Sequence, residues 1–344
     1  MNSPLNCWYV AATSDEVGRD LLGRRLLDRA VVLYRLDSGI VVALEDRCPH
    51  RAFPLSAGRL AGDEVVCGYH GFAFNSVGTC VRIPSQASVP AGMCVAAFPV
   101  REEPPFVWIW MGNPAMAAVT RPPRFPWLVD DGWATFGESL HVAANYMLLH
   151  EHYLDFTHAF VMHSRSVPLP VERFPQLSEI VVSETSVSYS RELPPARLAE
   201  WEAEATGLPR EGEYTRRESG TFVSPAAHVQ RWEIDGRDET VYANVRVHAF
   251  TPETPASTHV FLRGAHDYST ERNVVTEHLR SFLNQVTAED KSVLETIQSK
   301  SGYEEWLRGA HVTADGAALK VRRIVSAMLA EEAGRSTLRP GYSR

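Results

Sequence analysis

Cysteine is scarce in this chain: five residues in 344, at positions 7, 48, 67, 80 and 94. A small, odd set confined to the first 94 residues argues against a disulfide framework and restricts any cysteine chemistry to an N-terminal domain. Basic runs are missing too. Lys and Arg total 34 against 42 Asp and Glu, a formal net charge of −8, and no stripe of positive charge is present to meet a polyanion such as nucleic acid. No apolar run approaches the roughly 18–20 residues that span a bilayer. Met1-Asn2-Ser3-Pro4-Leu5-Asn6 has neither the basic start nor the apolar core of a secretion signal, so the expected address is cytoplasmic. Internal repeats and low-complexity tracts are absent as well. What remains is an ordinary globular composition, 44% hydrophobic and 22% charged with 22 Gly and 22 Pro, in a chain long enough for two domains.

The first hundred residues read as short strands joined by turns. Ala30-Val31-Val32-Leu33-Tyr34-Arg35 and Ile40-Val41-Val42-Ala43-Leu44 flank Leu36-Asp37-Ser38-Gly39, a hairpin signal. Phe106-Val107-Trp108-Ile109-Trp110 is a further apolar strand. The stretch from Gly112-Asn113-Pro114 to Arg121-Pro122-Pro123-Arg124-Phe125-Pro126 is proline-rich and marks a domain boundary. Beyond it, residues 139–163 look helical and hold five of the thirteen histidines: His141, His150, His152, His158 and His163. Segments near 176–191, 218–234 and 241–264 are rich in Val, Thr, Tyr and Ser, as strands are. Residues 273–299 and 316–333 read as helices. The predicted fold class is α+β, with an all-β domain over 1–115 followed by a larger α+β domain over 116–344.

Cys48-Pro49-His50 is followed after sixteen residues by Cys67-Gly68-Tyr69-His70. Two Cys/His pairs can supply four soft or borderline ligands from two adjacent loops, which suits zinc or an iron–sulfur cluster. Burial of a small hydrophobe beside a satisfied histidine explains one such pair but explains two matched pairs poorly. Cys7, Cys80 and Cys94 fall outside the pattern and read as packed residues.

A second group has the order Asp155-x-x-His158-x-x-x-x-His163. Asp155 and His158, three apart, share a helix face on which the carboxylate can orient the imidazole. A helix that loosens after His158 would bring His163 to the same metal. Chance enrichment in a polar loop is the plain alternative. The helix over 273–299 offers a third ligand: its apolar face runs Val275, Leu279, Phe282, Val286, Val293 and Ile297 in steps of three and four, and Asp290 continues that stripe. A carboxylate on a buried helix face is costly unless it is paired or holds a metal. A salt bridge to Arg263 or Arg280 is the competing explanation. Two histidines and one carboxylate form the facial triad of non-haem iron(II) oxygenases.

Taken with these motifs, the chain resembles Rieske non-haem iron oxygenases along its whole length, most closely the aromatic O-demethylase branch typified by vanillate and dicamba O-demethylases. The C-P-H and C-x-Y-H-G words resemble the Rieske [2Fe–2S] motif, as do Arg51-Ala52-Phe53-Pro54-Leu55-Ser56-x-Gly58 and Gly71-Phe72-x-Phe74 beside them. Trp8-Tyr9-Val10-Ala11, Asn145-Tyr146-x-Leu148-Leu149, Leu154-Asp155-x-x-His158-x-x-x-x-His163 and Glu289-Asp290-Lys291 are further shared words. The resemblance implies a Rieske [2Fe–2S] domain followed by a catalytic domain with an antiparallel sheet and helices, helix-grip-like in build. By it, Cys48 and Cys67 hold one iron of the cluster and His50 and His70 the other, while His158, His163 and Asp290 hold a mononuclear Fe(II). Asp155 is then the carboxylate that links His158 to His70 of the partner subunit, in a head-to-tail homotrimer. One departure stands out. Relatives often carry Asp-Asn-Leu-Met before the bridging aspartate, where this chain has Glu151-His152-Tyr153-Leu154, which puts His152 close to the iron. There it reaches an iron-bound water, approaches the metal itself, or simply packs. His248 and Phe282 match substrate-pocket positions: the first helps hold the carboxylate in the dicamba enzyme, and the second stands where that enzyme has a tryptophan. Core packing is the alternative for both.

The implied activity is that of a terminal oxygenase, which uses O2 to oxidise a small aromatic substrate by O- or N-demethylation or hydroxylation. Ring cis-dihydroxylation and aliphatic hydroxylation are alternatives within the class. A Rieske electron carrier without oxygenase chemistry, or a Cys2His2 zinc module, lies outside it. The sequence has no G-x-G-x-x-G after a strand and no C-x4-C-x2-C motif, so electrons from NAD(P)H must arrive through a separate reductase, with or without a ferredoxin. Residues 192–240 are the least familiar part of the chain and the expected seat of pocket specificity, with no residue singled out.

Overall fold

The computed structural model describes residues 3–164, 175–236 and 238–337. They divide into two compact units, one built on Ser3–Arg124 with Thr251–Thr254, the other on Phe125–Phe250 and the chain from Pro255 onward. The first unit holds eleven short strands: β1 (Trp8–Thr13), β2 (Leu22–Leu26), β3 (Arg29–Arg35), β4 (Val41–Glu45), β5 (Arg59–Ala61), β6 (Glu64–Val66), β7 (Ala73–Phe74), β8 (Cys80–Arg82), β9 (Ala97–Phe98), β10 (Val100–Glu103) and β11 (Phe106–Trp110). They form three sheets in the orders β1-β11-β10, β2-β3-β4-β9 and β5-β6-β7-β8. The hairpin expected around Asp37-Ser38-Gly39 is β3–β4, with Tyr34 opposite Val42. Val31 to Tyr34 are all fully buried, because both faces of this β-branched run are covered. Their core includes Val32, Tyr34 and Leu44 together with Cys48, Leu55, Cys67 and Phe72. The predicted ligand cysteines are thus part of the packing. The proline-rich stretch contains a short helix, α1 (Pro114–Val119), started by Asn113, whose side chain accepts from Ala115 N, with proline in the first turn as such starts favour.

The second unit contains β12 (Ala134–Val142), α2 (Tyr146–Leu154), α3 (Ala159–Met162), β13 (Glu179–Val182), β14 (Val187–Ala196), α4 (Glu200–Thr206), β15 (Tyr214–Ser224), β16 (Ala227–Asp235), β17 (Val241–Thr254, apart from its last four residues), β18 (Ser257–His266), α5 (Asn273–Lys300), α6 (Gly302–Trp306) and α7 (Gly316–Thr337). Its strands make one seven-stranded sheet in the order β12-β18-β17-β16-β15-β14-β13. The segments near 218–234 and 241–264 are each resolved into two strands by a tight turn. The helix expected from residue 139 begins only at Tyr146. Residues 134–142 instead pair antiparallel with β18, His141 opposite His259, and Phe136 and Val142 are buried while Thr135, Ser139 and His141 are exposed. That period of two places His141 on the open face of a strand. Asn145 starts the helix by accepting from Met147 N at 2.9 Å.

Helix α5 carries the expected stripe with one correction. Val275, Leu279, Phe282, Leu283, Val286, Asp290 and Leu294 are buried, whereas Val293 is 36% exposed. The stripe leaves Asp290 by a step of four to Leu294. Asp290 therefore sits within the buried face.

Candidate metal centres

The loops after β4 and β6 are two copies of one backbone design. In the first, Cys48 N donates to Phe53 O at 2.9 Å and Ala52 N to Cys48 O at 2.9 Å. In the second, Cys67 N donates to Phe72 O at 2.8 Å and Gly71 N to Cys67 O at 3.1 Å. The fifth residue of each loop takes the left-handed conformation, Ala52 at φ 55° and Gly71 at φ 70°. A Cβ on Gly71 would also lie 3.1 Å from Pro84 Cγ, so glycine suits the second copy on two counts. Asp46 clamps the first loop, accepting from Ser56 N and Ser56 Oγ at 2.6 Å each. Cys48 and Cys67 are buried and His50 and His70 exposed, with their Nδ1 atoms 3.2 Å apart. Burial pushes the Cys48 thiol up, and neighbouring Cys67 adds to that. Desolvation, then the charges of His70 and Arg51, lower the His50 imidazole. Two inner sulfurs and two outer ring nitrogens are the donor set of a Rieske cluster.

In the second unit four side chains meet around one carboxylate oxygen. Asp290 Oδ1 lies 2.9 Å from His152 Nε2, 2.9 Å from His163 Nε2 and 3.8 Å from His158 Nε2. Ligand atoms of His152, His158 and Asp290 all fall within 4.8 Å of one another, and the His152 and His158 rings stack at 3.8 Å. Despite this closeness, Asp290 Oδ1 and His152 Nε2 have no hydrogen-bond partner. Three imidazoles aimed past each other beside a buried carboxylate are costly as they stand and are what a metal ion resolves. Neither arginine expected as a salt-bridge partner fills that place: Arg263 donates to Glu138 O and Leu262 O, and Arg280 pairs with Glu277.

The electrostatics fit metal binding. Burial, then the charge of His152, pushes His158 down to about 4, which keeps it in the neutral, ligating form at pH 7. Burial opposes ionisation of Asp290, but its contacts with His152 and His163 win and hold it well below the usual carboxylate range. For His163, burial is outweighed by Asp290 and Glu289, and its pKa is raised.

Neighbouring groups fix the ring orientations. His158 Nδ1 donates to the main-chain oxygen of Asp155 at 2.6 Å. The carboxylate of Asp155, expected in that role, instead accepts from Thr157 N at 2.9 Å and Thr157 Oγ1 at 2.6 Å. The reason is local: α2 ends at Leu154, Asp155 is extended, and its side chain caps the 3-10 turn Phe156–His158 that follows. His163 Nδ1 donates to Glu289 Oε2 at 2.5 Å. The far side of α2 is anchored through Glu151, which is buried and accepts from Trp306 Nε1 at 2.6 Å and from both Nε and Nη2 of Arg322.

A cavity opens beside His158, His163 and Asp290, walled by Phe156, Trp201, Trp232 and Phe282 and floored by Gln230, Asn244, Arg246 and His248. The predicted pocket residues His248 and Phe282 both line it. His248 stacks on Tyr153 with centroids 4.2 Å apart, and burial, then Arg246, pushes its pKa down to about 3. Phe282 stacks on Trp201 at 4.4 Å. Sequence reasoning missed Glu289, Trp201 and Arg246. Glu289 adjoins Asp290 in a motif already singled out. Arg246 shares the alternation of β17 with Asn244 and His248, but alternation does not say which face meets a cavity.

Comparison with known proteins gives one consistent pattern. Residues 7–99 match the Rieske [2Fe–2S] domain and residues 142–331 the vanillate O-demethylase oxygenase C-terminal domain. The dicamba O-demethylase oxygenase component of Stenotrophomonas maltophilia is 33% identical over 333 residues, covering 92% of this chain and 95% of that protein. The toluene-4-sulfonate monooxygenase iron–sulfur subunit TsaM1 of Comamonas testosteroni is 45% identical over 159 residues, 46% of each chain. A crystal structure of dicamba monooxygenase bound to 3,6-dichlorosalicylic acid superposes with a TM-score of 0.89 at 31% identity, covering 96% of this chain and 98% of the other.

Proposed function

Because the chain belongs to the Rieske non-haem iron oxygenases, in the branch with a vanillate O-demethylase-type catalytic domain, we propose that its paired loops hold the cluster and its histidine–aspartate group the catalytic iron. Cys48 and Cys67 take one iron of the [2Fe–2S] cluster and His50 and His70 the other. His158, His163 and Asp290 hold the mononuclear Fe(II). When bound, the cluster relays single electrons and the mononuclear iron supplies the open positions at which O2 reacts beside the substrate. The observation that carries this reading is the convergence of imidazole nitrogens on Asp290 Oδ1, on the buried face of α5.

The chain's own residues give that chemistry its shape. Asp155 O and Glu289 Oε2 each take the Nδ1–H of one histidine, which leaves Nε2 of His158 and of His163 as the ligating atom. His152 presents its own Nε2 to the same point and serves as a hydrogen-bond partner beside the open positions. The aromatic walls exclude water from the reacting end of the cavity. Asp155 keeps an oxygen for His70 of the partner subunit, in a homotrimer. The substrate is a small aromatic compound that undergoes O- or N-demethylation or hydroxylation. In demethylation one oxygen atom enters a methyl C–H bond, and the resulting hemiacetal or hemiaminal collapses to formaldehyde and the free hydroxyl or amine. The second oxygen atom leaves as water, with two electrons from NAD(P)H passed through a separate reductase, with or without a ferredoxin, in the cytoplasm.

Asp290→Ala tests the assignment. Iron content should fall from about three to about two per chain with the Rieske spectrum unchanged, and product formation with a reconstituted reductase should cease. Full iron occupancy with normal turnover would require a different carboxylate.

A further inference from the structure

Arg246 is a charged group of the cavity with no ion-pair partner among the described residues, although the charge of Asp290 favours it from farther off. The fold's deeply buried arginines have carboxylate partners: Arg191 lies 2.7 Å from Glu218 and Arg216 2.7 Å from Glu202. Arg246 has no carboxylate within 4 Å and no hydrogen bond among the described residues; its guanidinium lies over the Phe282 ring, 5.4 Å from Cζ to centroid. Asp290, the acid that lines the cavity, is committed to the histidines. Burial holds the Arg246 guanidinium below its usual pKa, a sign that its charge is poorly solvated.

The groups around it want an acceptor. Asn244 is buried, with its oxygen taken by Tyr268 OH at 2.9 Å and its Nδ2 without a partner. Trp201 Nε1 and His248 Nδ1 are buried and unpartnered as well. Register puts these groups in a row: on β17, Asn244, Arg246 and His248 alternate onto one face, opposite Trp232, Gln230 and His228 of β16. An amide N–H2, an indole N–H and a guanidinium fork can donate but not accept. Leaving such a set unsatisfied in an interior is unfavourable.

We propose that Arg246 is a specificity-determining residue of this cavity, the anchor for an acidic head group on the substrate ring. A carboxylate or sulfonate pairs with Arg246 and takes further hydrogen bonds from Asn244 and Trp201, while the ring lies against Phe282 and its reacting group points to His158, His163 and Asp290. The inference rests on the cavity being the oxygenase's active site.

The test uses iron-loaded full-length protein and three matched probes: 4-methoxybenzoate, 4-methoxybenzenesulfonate and the neutral 4-methoxybenzamide. Dissociation constants are measured by calorimetry for wild type, Arg246→Gln and Arg246→Lys. Wild type should bind at least one of the two acids at least about thirtyfold more tightly than the amide, the lower end of what a desolvated charge pair contributes. The ratio of the two acids then identifies the preferred head group. Arg246→Gln should abolish the preference with little change for the amide, and Arg246→Lys should retain part of it, because the charge stays and the fork is lost. Absence of acid preference in wild type, or equal weakening of acid and amide in Arg246→Gln, overturns the anchor. Iron content and the Rieske spectrum are read on the same samples: a wild type without mononuclear iron would overturn the active-site reading, whereas full iron without acid preference overturns Arg246 alone.

Discussion

Asp155 uses two different oxygens for two different jobs. Its main-chain carbonyl sets the His158 ring, and its carboxylate caps the next turn through Thr157. The carboxylate is half-buried, so the capping leaves its charge available to a second chain. Asp155→Asn keeps the main-chain contact and a cap acceptor and removes only that charge. Both metal centres should then assemble, while single-turnover oxidation by the reduced protein should slow by several hundredfold or more, about 3–4 kcal/mol in barrier terms. Rapid-mixing kinetics read at the Rieske absorbance decide the matter, and near-normal cluster oxidation with substrate and O2 would rule out the relay. Residue-level reading of the sequence reached the side chains that the fold brings together because each motif is local. It chose the wrong oxygen of Asp155 because the helix it assumed at 155–158 ends one residue earlier.

At the scale of elements, α2 is the piece that carries chemistry at one side and anchorage at the other. His152 faces Asp290 while Glu151 turns away to Arg322, Trp306 and Tyr303. Glu151→Gln retains hydrogen bonding but strips the charge from a largely buried pair, leaving the Arg322 guanidinium uncompensated. A loss of about 3 kcal/mol in unfolding free energy is expected, together with weaker retention of mononuclear iron as α2 loosens. Chemical denaturation and metal analysis check the two effects separately, and unchanged values in both would show that the helix is held by packing alone. Elements with one dominant period were legible: α5 announced itself through its stripe, and Asp290 stood out because it interrupts apolar residues without leaving their face. The start of α2 was not legible, since the histidine density of 141–163 suggested one continuous helix while a strand's alternation and the Asn145 cap divide it.

For the whole molecule, the catalytic unit buries several titratable rings, His150, His228 and His248 among them. His150 is fully buried and pushed down to about 4, His248 to about 3, and His228 well below the ordinary imidazole range, in each case first through burial. These groups are neutral when folded and take protons when unfolded below about pH 6.5. Their contribution to stability is therefore complete above the unfolded pKa and is lost as pH falls from there toward the folded values. His150 alone should cost about 2 kcal/mol between pH 7.5 and pH 5. His150→Gln, which can still donate to Pro225 O as His150 Nε2 does, should flatten that decline in denaturation curves taken across the range; an identical slope would contradict it. None of this was visible in the sequence, where these histidines look like the ligands. Fold class and the order of metal motifs could be read there, since each depends on nearby residues. The rest of the cavity could not, because Trp201, Gln230 and Arg246 join His248 and Phe282 only through strand register and helix packing.

The paired loops of the first unit carry one more implication. Each is closed by two main-chain hydrogen bonds and one left-handed residue, and none of these uses a sulfur or ring nitrogen that would hold iron. In small zinc modules the metal is what makes the chain fold. Here the cradle is written in the peptide backbone, twice over, so the two loops would offer a cluster the same pair of donors on the same fold of chain.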